Sequence, residues 1–210
     1  MEFTAALRVE RLVVTVRGKD PEASFRTVMT LVEEGVPLVE VSLSGTAALE
    51  VIERARRALG EEAWLGAGTV LTAEDAQRAA DAGANLLATP GLGRGVAESV
   101  RQGLPVLAGV STAGEVAEAG RAGAAALKLF PGSVGGPAYL RALRAPFPEL
   151  VFVPVAAAGA DPAGAAEYLE SGATAVSVGA PLVGDAADGG DLHELRRRAA
   201  EFRASLRAVC

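Results

Sequence analysis

The chain has 210 residues and a formal charge of -6, and 50% of its residues are hydrophobic although only 4% are aromatic. The acidic balance argues against a nucleic-acid partner. A chain of this length can form one large domain or two small ones, and no linker or composition break divides it. We therefore expect a single domain over residues 1–210.

Membrane and metal chemistry are also disfavoured. No apolar run approaches the roughly 18 residues of a membrane-spanning helix, and the start of the chain lacks the apolar core of a signal peptide. We expect a cytoplasmic protein with no membrane partner. Cys210 is the only cysteine, and His193, in the charged segment DLHELRRR, is the only histidine. Catalytic zinc sites normally use several histidines, so we expect no metal and no cofactor.

Short apolar runs alternate with amphipathic segments along the whole chain. Near-continuous apolar runs of this kind are typical of parallel strands buried on both faces. Helix signals lie between them, namely an Asp-Pro pair at 20–21, a capping box at 72–75 and glycines at helix ends. The predicted strands, in chain order, are 12–17, 38–43, 64–70, 85–90, 105–110, 125–130, 151–156 and 175–179.

A strand–helix unit repeated about eight times, at a spacing of roughly 20 to 26 residues, predicts a closed (β/α)8 TIM barrel. The rival is an open doubly wound sheet, but no GxGxxG follows the first strand and no Walker loop is present. In a barrel, chemistry collects at the carboxyl ends of the strands. The polar or small residues at those ends are Arg17, Glu40, Ser42, Ser44, Thr69, Thr89, Pro90, Ser111, Thr112, Lys128 and Gly179.

Two charged residues inside apolar strands are difficult to explain as packing. Lys128 lies between leucines in ALKLFPG, and Glu40 lies between valines in LVEVSL. Because alternate residues of a strand share a face, both side chains are expected to point into the barrel lumen. A desolvated lysine can lose its proton and act as a nucleophile, which arginine cannot do. Two structural alternatives stay open: Lys128 reaches solvent at the strand end, or the two residues form an inert buried ion pair.

Five motifs resemble one known family. They are GAGTV (66–70), TPG (89–91), GVST (109–112), LKLFP (127–131) and the segment 135–148. In this order they resemble the 2-keto-3-deoxy-6-phosphogluconate (KDPG) aldolases, whose members often also cleave 4-hydroxy-2-oxoglutarate (KHG). The resemblance runs from about residue 12 to about 183 and implies a metal-free class I aldolase. Such an enzyme binds a small 2-keto acid substrate, releases pyruvate and an aldehyde, and is usually a homotrimer.

The resemblance also implies roles for individual residues. Lys128 matches the lysine that forms the Schiff base, and Glu40 matches the glutamate that shuttles protons. Thr69 matches the threonine that holds the substrate carboxylate, and Pro90 matches the proline that packs against the bound pyruvyl group. Each of the four is therefore a candidate site residue.

The chain departs from the family at the residues that bind the acidic groups of the substrate. Ser44 stands where the family has an arginine that helps to hold the substrate carboxylate, and Arg17 at the end of strand 1 is a candidate substitute. The family's PTGGI and GGS phosphate-binding segments are replaced by 154–160, PVAAAGA, and by 178–181, VGAP, which includes Gly179. Alanine in place of glycine restricts the backbone and adds a methyl group. These replacements predict an unphosphorylated substrate such as KHG.

Two other functions stay open at the level of sequence. The replacement of the family arginine by Ser44 is compatible with a catalytically silent protein that only binds a small acid. Another β/α barrel enzyme acting on phosphosugars, an epimerase or isomerase, is the third hypothesis. That hypothesis is disfavoured because such enzymes need no single buried lysine.

Overall fold

In the computed structural model, eight parallel strands form a barrel surrounded by helices, which confirms the predicted (β/α)8 architecture. The structure describes residues 1–61, 63–132, 134–156 and 160–209. The hydrogen-bonded order is β7-β6-β5-β4-β3-β2-β1-β8, and a parallel bridge between Val155 and Ser177 joins the two end strands. The strands are β1 (Leu12–Val16), β2 (Leu38–Ser42), β3 (Trp64–Gly68), β4 (Leu86–Ala88), β5 (Val106–Val110), β6 (Ala126–Leu129), β7 (Phe152–Pro154) and β8 (Val176–Val178).

Two predicted helix starts are confirmed in detail. Asp20 caps its helix by accepting hydrogen bonds from the backbone amides of Glu22 and Ala23, and Thr72 and Asp75 form the predicted capping box. The helices are α1 (Phe3–Glu10), α2 (Pro21–Glu33), α3 (Ala48–Leu59), α4 (Ala73–Asp81), α5 (Arg94–Arg101), α6 (Ala113–Arg121), α7 (Gly136–Arg144), α8 (Pro162–Glu170), α9 (Ala180–Val183) and α10 (Leu192–Ala208).

The barrel lumen is filled by apolar side chains towards its amino-terminal end. Leu38, Leu86 and Leu107, from three different strands, belong to one buried cluster. Phe3 and Leu7 of α1 are part of the same cluster, so α1 covers this end of the barrel. A larger cluster packs the outer strand faces against the surrounding helices. The packed lower lumen leaves only the carboxyl-terminal end of the barrel open for a polar site.

Two further features concern the chain ends and the surface. His193 is exposed at the start of α10, as its charged segment predicted. Cys210 lies outside the described residues. Within the described part of the chain, no helix combines the length and the apolar character needed to cross a membrane.

Candidate active site

A cavity of about 510 Å³ opens at the carboxyl ends of the strands. All seven residues predicted from the sequence to contact or transform a substrate lie on its wall: Lys128, Glu40, Thr69, Pro90, Arg17, Ser44 and Gly179. Eight further residues line the cavity that were not predicted as site residues: Thr15, Ala88, Thr89, Phe130, Val155, Ala180, Val183 and Gly184. The structure therefore brings the predicted residues together in one place.

The Lys128 amine and the Glu40 carboxylate meet inside the barrel. The distance from Lys128 Nζ to Glu40 Oε2 is 2.6 Å, and the two residues are only 9% and 3% exposed. Lys128 is therefore buried and does not extend out of the strand end into solvent, and the prediction that both side chains point into the lumen is confirmed. A buried ion pair contributes little net stability, because desolvation of both charges offsets their attraction. An amine in direct contact with a carboxylate is, in contrast, suited to a reaction that needs both a nucleophile and an acid–base group.

The neighbouring strands leave space for the Glu40 carboxylate and hold it. Gly68 ends β3, and a Cβ atom added to it would lie 2.1 Å from Glu40 Oε1. Thr15 of β1 donates a hydrogen bond of 3.3 Å from its hydroxyl to Glu40 Oε2. The second glycine of GAGTV is therefore required by the position of the carboxylate.

The segment after β4 reaches the cavity because β5 has a glycine opposite it. A Cβ atom on Gly109 would lie 2.2 Å from the carbonyl carbon of Pro90, so only glycine allows this approach. The Gly109 amide also donates a hydrogen bond of 3.3 Å to the hydroxyl of Thr89, which is buried and lines the cavity. The motifs TPG and GVST are thus two parts of one packing arrangement.

Ser111 and Thr112 do not line the cavity. Instead they cap α6, whose residue Glu115 accepts hydrogen bonds from both of their backbone amides and both of their hydroxyls. The Ser111 amide and the Thr112 hydroxyl lower the pKa of the Glu115 carboxyl group below its ordinary value, because they stabilise the charged form. The strand-end position of these two residues is therefore explained by helix capping.

Arg17 and Ser44 lie at the mouth of the cavity and are connected through Ser42. The Arg17 Nε group donates to the Ser42 hydroxyl at 3.3 Å, and the Ser42 and Ser44 hydroxyl oxygens are 2.8 Å apart. Among the described residues, the terminal nitrogens of Arg17 have no hydrogen-bond partner. The guanidinium group of Arg17 is thus separated by one hydroxyl group from Ser44, the residue that stands in place of the family arginine.

Part of the cavity wall is apolar. Phe130, Val155 and Val183 line it, together with Gly179 and Gly184. The contribution of α9 depends on tertiary packing that no local pattern indicates. Residues 157–159, which the sequence analysis places in the altered phosphate segment, lie outside the described residues.

Metal-binding side chains are dispersed over the part of the chain that the structure describes. In residues 1–61, 63–132, 134–156 and 160–209, no three of them are arranged to hold a metal ion. The candidate chemistry on the cavity wall is therefore that of an amine, a carboxylate and hydroxyl groups.

The fold and the site together define a class of enzyme. A (β/α)8 barrel with a buried lysine in contact with a glutamate, at the carboxyl ends of its strands, has the groups of a metal-independent class I aldolase. The family model described as "Aldolase: KDPG and KHG aldolase" matches residues 3–197. The chain belongs to this family and is a pyruvate-forming aldolase, which separates it from the epimerases and isomerases considered above.

Relatives of known name agree with this assignment. The chain is 33% identical to the 2-dehydro-3-deoxy-6-phosphogalactonate aldolase of Escherichia coli K12, with 81% of this chain and 83% of that protein aligned. It is 32% identical to the KHG/KDPG aldolase of the same organism, over 90% of this chain and 89% of the relative. The crystal structure of the KDPG aldolase from Zymomonas mobilis superimposes with a TM-score of 0.87, at 28% identity and full coverage of both chains.

We predict that Gly68→Ala displaces the Glu40 carboxylate, because the added Cβ atom would lie 2.1 Å from Oε1. A crystal structure of the variant should show the Lys128 Nζ to Glu40 Oε2 distance lengthened. With Glu40 as the proton-transfer group that the family resemblance implies, pyruvate release at steady state should fall on the order of 100-fold, the size expected from misplacing such a group by about 1 Å.

Gly66→Ala is the matched control, because it adds the same methyl group two residues earlier on the same strand. The three atoms nearest to its Cβ all belong to Leu86, at 3.1 to 3.4 Å, whereas a Cβ on Gly68 would overlap Glu40 itself. We expect a small loss of stability and near-normal activity. Equal losses of activity in the two variants would contradict a specific effect on Glu40.

Proposed function

We propose that Lys128 forms the imine with the substrate ketone and that Glu40 moves the protons of the reaction. The observation that carries this proposal is the buried contact of 2.6 Å between Lys128 Nζ and Glu40 Oε2. Glu40 accepts a proton from the lysine ammonium, and the neutral amine attacks C2 of a 2-keto-4-hydroxy acid. The C2 oxygen takes one hydrogen from the attacking nitrogen and the proton held by Glu40, and it leaves as water, so that an iminium ion and the Glu40 carboxylate remain.

The iminium ion is the electron sink for carbon–carbon cleavage. Glu40, acting through a water molecule, accepts the proton of the C4 hydroxyl, and the electrons of the C3–C4 bond move into the iminium to give an enamine. The aldehyde leaves at this step. Glu40 then returns its proton to C3, and addition of water to the resulting iminium releases pyruvate and the free amine.

Thr69 and Pro90 complete the proposed pyruvyl site. Both line the cavity together with Lys128, in agreement with the roles that the family resemblance implies for them. In this proposal the Thr69 hydroxyl binds the carboxylate of the keto acid, and Pro90 packs against the pyruvyl carbons.

We predict that Lys128→Arg lowers pyruvate release to below about one thousandth of the wild-type rate, because a guanidinium group keeps the positive charge but cannot form the imine. Lactate dehydrogenase and NADH measure the pyruvate. Lys19→Arg, which changes the only other lysine at an exposed position, is the control and should be fully active. Substantial turnover by Lys128→Arg would refute the assignment, and absence of turnover by the wild type would favour the silent binding protein.

We further propose that the preferred substrate is unphosphorylated, such as KHG. The relatives are named for both phosphorylated and unphosphorylated acids, so the choice depends on the cavity itself. Val155 and Ala156 stand where the family has threonine and glycine, and Val155 contributes to an apolar wall. Arg17 provides the positive charge at the mouth, and in this proposal it binds a substrate carboxylate in place of the arginine that Ser44 replaces.

We predict that kcat/KM is at least about tenfold higher for KHG than for KDPG, because one lost charge-assisted hydrogen bond to phosphate already costs about this much. Arg17→Ala should raise KM for both substrates with a smaller effect on kcat. Comparable kcat/KM values for the two acids in the wild type would refute the substrate preference.

We also propose that the chain is one barrel domain that assembles as a homotrimer. The family resemblance supports this assembly, and so do Leu71 and Phe130, apolar side chains that are 61% and 43% exposed after the ends of β3 and β6. Light scattering after gel filtration should give three times the monomer mass. A monomer at micromolar concentration would contradict the proposal, while the cytoplasmic location stays a prediction from the sequence.

A further inference from the structure

A pair of hydroxyl groups lies on the side of Glu40 that faces away from β3. The Thr15 hydroxyl oxygen is 3.3 Å from Glu40 Oε2 and 3.5 Å from the Ser177 hydroxyl oxygen. Ser177 is 1% exposed, and Thr15 lines the cavity. The three residues come from adjacent strands. Thr15 of β1 pairs in register with Glu40 of β2. On the other side of β1, Ser177 of β8 pairs with Val13, two residues before Thr15. The arrangement therefore follows directly from the strand register.

The direction of these hydrogen bonds can be deduced from the chemistry of the groups. An ionised carboxylate only accepts, so the single Thr15 hydroxyl hydrogen points to Glu40. Thr15 can then only accept from its other neighbour, so the Ser177 hydroxyl hydrogen points to Thr15. Hydrogens thus run from Ser177 to Thr15 to Glu40, while the Lys128 amine donates to the same carboxylate.

The proposed reaction requires Glu40 to change between carboxylate and carboxylic acid. A carboxylic acid is a donor, and a buried donor needs an acceptor nearby. A hydroxyl group can both donate and accept, so Thr15 can reverse its hydrogen bond when Glu40 takes up a proton. Valine in this position would match the shape of threonine but would provide no partner for either form of Glu40.

We propose that Thr15 is a positioning residue for Glu40 in the proton-transfer steps, and that Ser177 orients the Thr15 hydroxyl. This inference rests on the proposed function of Glu40 and Lys128. Thr15 holds one side of the carboxylate by hydrogen bonding, and the missing side chain of Gly68 leaves space on the other side. Removal of the Thr15 hydroxyl therefore slows proton transfer by Glu40 and leaves imine formation by Lys128 intact.

The test separates these two steps with pyruvate alone in deuterium oxide. Imine formation is measured as the fraction of intact protein that gains the mass of a reduced pyruvyl group after borohydride treatment. Proton transfer is measured by NMR as exchange of the pyruvate methyl hydrogens, which requires a base to remove a C3 proton from the iminium and return a deuteron. Thr15→Val should lower the exchange rate about tenfold with an unchanged trapped fraction. Thr15→Ser should restore exchange.

Thr27→Val is the matched control, because it is the same substitution at another buried position. The Thr27 hydroxyl lies in α2 and has no hydrogen-bond partner among the described residues. This variant should match the wild type in both measurements. Ser177→Ala, which leaves Thr15 in place, should lower exchange by a smaller factor than Thr15→Val.

Each outcome decides one question. Wild-type exchange rates in a folded Thr15→Val variant would overturn the inference, and so would a parallel loss of trapping and exchange, which would indicate general damage to the site. If Thr15→Val does not fold, normal exchange in Ser177→Ala overturns the inference and reduced exchange with full trapping supports it. Absence of trapping in the wild type would instead refute the proposed function of Lys128.

Discussion

The contact between the Lys128 amine and the Glu40 carboxylate is the constraint on which the rest of the site depends. Two opposite charges are held 2.6 Å apart in a barrel interior where isolated charges would be costly. Neighbouring strands accommodate this pair in specific ways, since Gly68 leaves space for the carboxylate and Thr15 donates a hydrogen bond to it. Any buried ion pair needs space and hydrogen bonds, but an inert pair would not need the cavity of about 510 Å³ onto which this pair opens. The arrangement is better explained by a reaction that uses both groups.

The barrel keeps this pair accessible from one direction only. Leucines from several strands fill the lumen below it, and Phe3 and Leu7 of α1 cover the amino-terminal end. In the proposed mechanism, the substrate enters from the carboxyl end, where Arg17 and Lys128 both line the cavity. Because the lower lumen is packed, the amine and the carboxylate lie in surroundings with little solvent, where electrostatic effects are strong.

Much of this arrangement could be predicted from the sequence, because strand alternation is a short-range pattern. It placed Lys128 and Glu40 in the lumen, and the helix signals located the capping residues. Thr15 and Ser177 were missed, although the same alternation puts them on the lumen face, because a threonine or serine in a strand is equally well explained by ordinary strand composition. The wall formed by Val183 could not be predicted, since it depends on how α9 packs against the barrel and not on a local pattern.

The most direct test of the central claim is to treat the protein with pyruvate and borohydride and to locate the added mass by peptide mass spectrometry. Lys19 and Lys128 are the only lysines, so besides a terminal amine only two positions can carry a reduced pyruvyl group, and peptide masses distinguish them. The account predicts modification of Lys128 that depends on pyruvate. An intact, folded protein with no adduct on Lys128 would contradict it and would leave the buried amine as one half of an ion pair.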